Sequence, residues 1–456
     1  DHAVQSGTYN VNQPKYLYGG DFGDTINDGN FCMDGMVRPE RKPYQSLLEF
    51  ANVMRPIRFE ISNGNVYATN MLDFLDASEI YDVYFEVTEN GSSVNNESKQ
   101  LPHGKIDKLP KLKPHVKTAL PIHISNNSNG HLFVKFEIVS KITNDYILQG
   151  DVVGFQQIEI NDFVQQQLFK NFGNVDFSEN ELYIKIKGNN FSYVFDKLRG
   201  SFCKITYNKC DLIKKPLEFV LWRAPTDNDM YIKKIWESAG YNRIVFRPYD
   251  CTIERYQGAV KISCLVSVAS VALQRILLIN STYMINGKGQ ISVNLSIDKN
   301  KVMPTLPKFG IRFFLEESFS QVQYLGYGPG ESYIDKHYAT YFGEFKSNID
   351  GLYENYYNPQ ENGSHFGCEK LTISSPKRSI IIQAVKSPFS FNASYYTYEE
   401  LTEAKHDFEL KKSGYTVLSV DYKQNGVGSN SCGPELLEKY KFNDSHFDFS
   451  FIINPA

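Results

Sequence analysis

The chain has 456 residues, enough for two to four domains at about 150 residues each. Hydrophobic residues make up 41% and charged residues 22%, which excludes a disordered or collagen-like chain. A net charge of −4 without a Lys/Arg block argues against a nucleic-acid or anionic-membrane partner, and no apolar run approaches the roughly 18 residues of a membrane span.

Residues 1–52 begin Gly/Asp-rich, and Leu47, Leu48 and Ala51 near their end recur at the spacing of one short amphipathic helix. One helix and a strand cannot enclose a core, so this segment is expected to pack on something else. The chain opens at Asp1 with neither an initiator Met nor a visible signal peptide, which suggests a piece of something longer. Residues 53–162 read as a small β-sandwich of immunoglobulin-like size. Asn63-Gly64 and Asn90-Gly91 are hairpin signals, and Val83, Phe85 and Val87 alternate with their neighbours, as do Leu132, Val134, Phe136 and Ile138. The Lys/Pro-rich stretch 105–117 reads as a solvated loop, and 163–178 as a linker. Residues 179–456 alternate again, through Leu182, Ile184 and Ile186, Phe191, Tyr193 and Phe195, and Ile291 to Ile297. That length suits one large antiparallel β-sandwich. The 30 Tyr and 32 Phe, against 2 Trp, also favour strands.

Five clusters could carry chemistry. Asp21, Asp24, Asp28 and Asp34 fall within 14 residues and are broken by glycines, a density of oxygen acceptors that suits a hard cation or a hydroxyl-rich ligand. The same pattern also suits Asx turns that cap a strand. Trp222 to Asp229 could bind a sugar, but an Arg and Asp this close more often staple a contact. Tyr324 to Tyr333 lacks nucleotide-binding glycine spacing. Asn358 to His365 is a polar, mobile-looking loop, functional or merely exposed. Asn425 to Pro434 is the fifth. The seven cysteines have irregular spacing and no C-x-x-C pair, so free buried thiols in a reducing, cytoplasmic setting are expected. No zinc-hydrolase histidine spacing or serine elbow occurs.

In this order the clusters resemble the C-terminal part of the large multi-domain β-galactosidases of glycoside hydrolase family 2. YGGDFGD (18–24), NDGNFCMDG (27–35), RAPTDND (223–229), GPGESY (328–333), PQENG (359–363) and GVGSNSCGP (426–434) carry the likeness across essentially the whole chain. The resemblance implies a mostly β protein: the C-terminal end of a (β/α)8 barrel, an immunoglobulin-like β-sandwich, then a large antiparallel β-sandwich. In such barrels the loops after the strands build the active site. It further implies part of a retaining enzyme hydrolysing terminal β-D-galactosides such as lactose, through two glutamates about 5–5.5 Å apart. The motifs that carry those glutamates precede this portion and neither is found here. No catalytic residue is therefore assigned, and the chain alone is expected to be inactive.

Position by position, Phe31 matches a backbone-carbonyl ligand of a sodium ion beside the galactose. Asp34 matches a side chain touching both that ion and the sugar, where well-known members carry Asn. Asn27 matches a residue associated with a magnesium ion. Cys432 stands where those members present a Trp platform to the leaving sugar, and a thiol cannot stack. Asp28, Glu361 and Asn362 join Asp34 and Cys432 as implied substrate-binding residues, the last two on a mobile loop bordering the active site. Na+ and Mg2+ are the implied cofactors, with most ligands upstream. The implied partners are a β-galactoside, the N-terminal part of the same enzyme or a complementary subunit, and further copies in a homo-oligomer. Two other readings stay open: a non-catalytic carbohydrate-binding or scaffold protein of two β-sandwiches, and part of a related β-glycosidase such as a glucuronidase.

Overall fold

A computed structural model describes residues 4–5, 16–33, 35–92, 95–96, 99–100, 103–125, 130–163, 169–170, 173–428 and 431–456. The chain is mostly β, and its strands gather around two separate apolar cores. In the first unit Ile57–Ser62, Asn65–Asn70 and Lys117–His123 form one sheet. Val152–Glu159, Leu132–Ser140, Tyr81–Glu89 and His103–Lys105 form a second, in that order. Leu132, Val134, Phe136 and Ile138 are buried, whereas Lys135 and Glu137 between them pair with each other at 2.7 Å. Phe133 breaks the alternation because it stacks at 4.5 Å on Phe342 of the larger unit. Asn63 and Gly64 take φ of 49° and 77°, and Asn90 and Gly91 take 51° and 75°, the backbone a tight hairpin turn requires. The stretch 105–117 is not simply solvated: Ile106 and Leu112 enter the first core, and the Leu112 carbonyl accepts from the buried Asn70 side chain at 2.7 Å.

The larger unit has one continuous core under three sheets. Asp176–Glu179, Tyr183–Lys187, Phe191–Asp196, Ser201–Tyr207 and Cys210–Asp211 form an antiparallel meander. A second five-stranded sheet runs Glu218–Val220, Lys308–Glu316, Tyr415–Gln424, Phe389–Ser394, Ser364–Cys368. Nine further strands form the largest sheet, with Ile291–Lys299 and the final strand His446–Pro455 near its centre. Ile291, Val293, Leu295 and Ile297 all point into the core.

Two boundaries differ from expectation. The expected linker 163–178 overlaps strand Asp176–Glu179, which pairs with Tyr183–Lys187; Phe177 is its one apolar residue, too few to show a period. Leu182 lies in the turn before the strand, where Asn180 Oδ1 accepts from its amide at 3.0 Å. The cysteines also differ: Cys251 and Cys264 are cross-strand partners joined as a disulfide, and of the free thiols only Cys368 is buried while Cys432 is exposed. Facing positions on paired strands bring two cysteines together without any sequence motif. Among the described residues no helix is long and apolar enough to cross a membrane.

The two units meet at His131. Its ring donates through Nε2 to Glu159 at 2.7 Å and through Nδ1 to Glu369 of the larger unit, between the rings of Phe133 and Phe342. Burial would lower its pKa, but the hydrogen bonds and charges of Glu159 and Glu369 outweigh it and push it up to about 9. A raised histidine pKa stabilises the fold fully below the unfolded value of about 6.5, and the gain is lost as pH rises through 9. Wild type is therefore expected to exceed His131→Gln in stability by about 1–2 kcal/mol near pH 6, allowing for solvent at Glu159, with the gap closing above pH 9. Thermal unfolding of both proteins across that range measures it.

Candidate functional site

Helix Gln45–Val53 forms where the spacing places it, but it faces the opposite way. Gln45, Glu49 and Asn52, at helical spacing, supply its contacts. The Glu49 carboxylate accepts the amides of His337, Tyr338 and Ala339 at 3.1, 2.9 and 2.7 Å. Asn52 accepts the Phe155 amide at 2.8 Å and donates to the Tyr338 carbonyl, so it joins helix, small sandwich and large sandwich. A Cβ on Gly330 would stand 2.5 Å from the Gln45 side chain. Leu48, Phe50 and Met54 are left 48%, 51% and 66% exposed. The rest of the segment is tied to the same end of the large sandwich. Arg38 pairs with Glu354, Tyr44 stacks on Tyr356 at 5.5 Å, and Tyr16 meets Tyr357 edge-on at 4.8 Å.

The other clusters converge there too. Arg223 and Asp229 are wholly buried and bonded side-on at 2.9 and 3.0 Å, so this pair is a staple. The same guanidinium donates to the carbonyls of Asn425 and Gly426. Asp227 accepts from Asn358 and Gln360 at 2.8 Å each, and the Glu361 amide donates to the Ala224 carbonyl at 3.0 Å. Glu331 accepts from Lys336, Tyr356 and the Gly363 amide at 2.6, 2.8 and 2.8 Å. Burial would raise its pKa, but Lys336 and these bonds hold it below the ordinary value. Asp335 accepts the amides of Val427 and Gly428 at 3.0 and 2.8 Å. No role is readable from sequence for Glu331, which lies within GPGESY, or for Asp335, which follows that motif.

The assigned residues fare differently. Asn27 braces a turn, its Oδ1 accepting the Gly29 amide and its Nδ2 donating to the Asp24 carbonyl, both at 3.0 Å. Asp28 is exposed and its carbonyl accepts the Phe31 amide at 3.2 Å. Phe31 lies in the short 3-10 helix Gly29–Met33 and is 55% exposed. Asp34 lies outside the described residues. Cys432 is exposed, beside Ser431, whose hydroxyl donates to Asn228 at 3.0 Å. Glu361 and Asn362 are only 3% and 4% exposed, so the PQENG segment is interior rather than an open loop. Asp227, Ala224 and Glu331 meet the Gln360 side chain and the Glu361 and Gly363 amides, while the Glu361 carboxylate is not matched in this way. Among the described residues no three His, Cys, Asp or Glu side chains group as a metal site. With Asn27 spent in its turn, the described donors fit a cation only as a minority of its ligands.

A family model described as "Beta galactosidase small chain" matches residues 187–453, more than half of the chain. The chain belongs to the β-galactosidase small chain family. Residues 1–59 match "Glycosyl hydrolases family 2, TIM barrel domain", and so the helix Gln45–Val53 and the turns before it are the end of that barrel. A β-galactosidase of Actinobacillus pleuropneumoniae is 38% identical over 441 residues, covering 96% of this chain and 42% of the relative. Another from Staphylococcus xylosus is 32% identical over 467 residues, covering 99% and 45%. The chain thus spans less than half the length of these relatives and corresponds to a C-terminal part of this β-galactosidase family. A galactose 1-epimerase from Lactobacillus acidophilus NCFM matches at TM-score 0.37 and 9% identity, too distant to carry an argument.

Proposed function

We propose that this chain is the C-terminal portion of a retaining β-galactosidase acting on terminal β-D-galactosides such as lactose, and that it works in the cytoplasm with an N-terminal part holding both catalytic glutamates. The supporting observation is the docking of the barrel-end segment 16–55 on the motif-bearing end of the sandwich, through Glu49, Asn52 and Arg38, with its apolar side left open. The rest of a barrel is the body whose size and chemistry suit that side. In this reading the exposed turn 24–33 faces the galactose, with Asp28 and Asp34 accepting from sugar hydroxyls. Cys432 forms part of the wall on the leaving-group side. Glu361 and Asn362 act from inside, by fixing the segment on which that wall rests. Sodium at the Phe31 carbonyl and Asp34, and magnesium near Asn27, would supply positive charge to sugar oxygens, with most ligands drawn from the N-terminal part.

The purified chain is expected to release no chromophore from o-nitrophenyl-β-galactoside. Adding a barrel-containing N-terminal part is expected to restore hydrolysis. Turnover by the chain alone would refute its inactivity, and failure of every assembled form on β-galactosides would refute the substrate.

A further inference from the structure

We propose that His406, on the large sandwich, is a positioning residue that sets the geometry of the sugar-side loop 18–33 through Asp21. The loop's place beside the sugar rests on the β-galactosidase reading, whereas the clamp rests on contacts alone.

His406 begins the turn before the short helix Asp407–Glu409 and is buried, its ring stacked between Tyr18 at 4.5 Å and Phe408 at 4.8 Å. Its Nε2 lies 2.7 Å from Asp21 Oδ2, and the same oxygen accepts the Tyr18 amide at 2.8 Å. An ionised carboxylate only accepts, so Nε2 carries the proton and donates. Burial would raise the Asp21 pKa, but the Tyr18 amide and the His406 ring lower it, which keeps the acceptor charged. The Tyr18 hydroxyl returns the contact by donating to the Lys405 carbonyl. Two side chains therefore cross between loop and sandwich in opposite directions.

From this anchor, hydrogen bonds link the two ends of the loop. The Gly19 amide donates to the Gly29 carbonyl, and the Gly20 amide to Asp24 Oδ1, both at 3.0 Å. Asn27 then ties Asp24 to Gly29, and Gly29 opens the turn that carries Phe31. A Cβ on Gly19 would stand 3.0 Å from the Gly29 carbonyl, so the two ends of this path are closely packed. No apolar core competes with it. Of the described residues between 18 and 33, Tyr18 is the buried one, while Phe22, Ile26 and Phe31 point outward. A loop without a core takes its position from its tether.

Hydrogen exchange on the full chain tests the clamp. His406→Leu and Asp21→Ala should each speed exchange of the 18–29 amides by about tenfold and leave strand Ala259–Ser270 unchanged. Asp21 lies on an exposed turn, so its variant reports even if His406→Leu misfolds. His406→Gln can still donate to Asp21 and should exchange like wild type. Unchanged loop exchange in Asp21→Ala, or no rescue by His406→Gln, overturns the proposal. Combined with the N-terminal part, His406→Leu and Asp21→Ala should raise KM for o-nitrophenyl-β-galactoside about tenfold with kcat within about twofold. A loss of kcat at unchanged KM overturns the positioning role. If wild-type assemblies do not hydrolyse β-galactosides, the proposed function fails, and the exchange experiment alone decides the clamp.

Discussion

Replacing Arg223 by Met will cost the chain about 3–5 kcal/mol, the range for removing one member of a fully buried ion pair. Neither Arg223 nor Asp229 has any solvent exposure. With the guanidinium gone, the Asp229 carboxylate keeps the Thr226 amide at 2.9 Å as a donor but has no opposite charge in contact. The carbonyls of Asn425 and Gly426 lose a donor at the same time. The effect should therefore be structural as well as energetic, loosening the segment that leads to Cys432. Removing both partners together, as in Arg223→Met with Asp229→Leu, should recover much of the loss, because no lone charge is left behind. Urea unfolding of wild type and the two variants separates these outcomes; equal destabilisation by the single and double changes would refute the account.

Glu361→Gln should stabilise the chain, which is unusual for a change in a packed interior. The surroundings hold two cations and two anions already matched, Arg223 with Asp229 and Lys308 with Asp421. Asp421 and Tyr398 hold Lys308 charged although burial works against it. Glu361 is a fifth charge with no ion-pair partner among the described residues, and the Gln424 side chain is the one hydrogen-bonding group that favours its charged form. Burial pushes its carboxyl from 4.5 up to about 7, against the pull of Lys308 and Arg223. Between these values the folded chain keeps a proton that the unfolded chain releases, so stability falls as pH rises from 4.5 to 7 and stays lowered above. Gln removes that fall and should gain roughly 2–3 kcal/mol at pH 8 with little change at pH 4. A variant no more stable than wild type at pH 8 would refute the charge count.

What could be read from sequence was what depends on neighbours in the chain. The Asn-Gly turns and the alternation through Leu132–Ile138 and Ile291–Ile297 are local matters of backbone conformation and period, and they appear as expected. The orientation of helix Gln45–Val53 was not legible. Its apolar side was visible in the spacing, but its neighbours, the amides of 337–339, lie nearly 290 residues away. PQENG shows the same limit from the other side. Its polarity suggested exposure, yet Asp227, Ala224 and Glu331 meet the Gln360 side chain and the Glu361 and Gly363 amides, which offsets the burial of all but the Glu361 carboxylate. The four aspartates stand out in the sequence by their density, while His406, the partner of Asp21, is one of nine histidines with no motif around it.

The inverted helix gives the barrel seam two unlike sides. Toward the sandwich it is wet and specific, a lock of carboxylate and amide groups that leaves little freedom of registry. Away from the sandwich Leu48, Ala51, Phe50 and Met54 are exposed around the rest of its surface, which is apolar without being a single stripe. Left without an apolar partner, that surface favours association with other copies of the chain. Keeping the chain dispersed is then a colloidal matter, decided around a nine-residue helix.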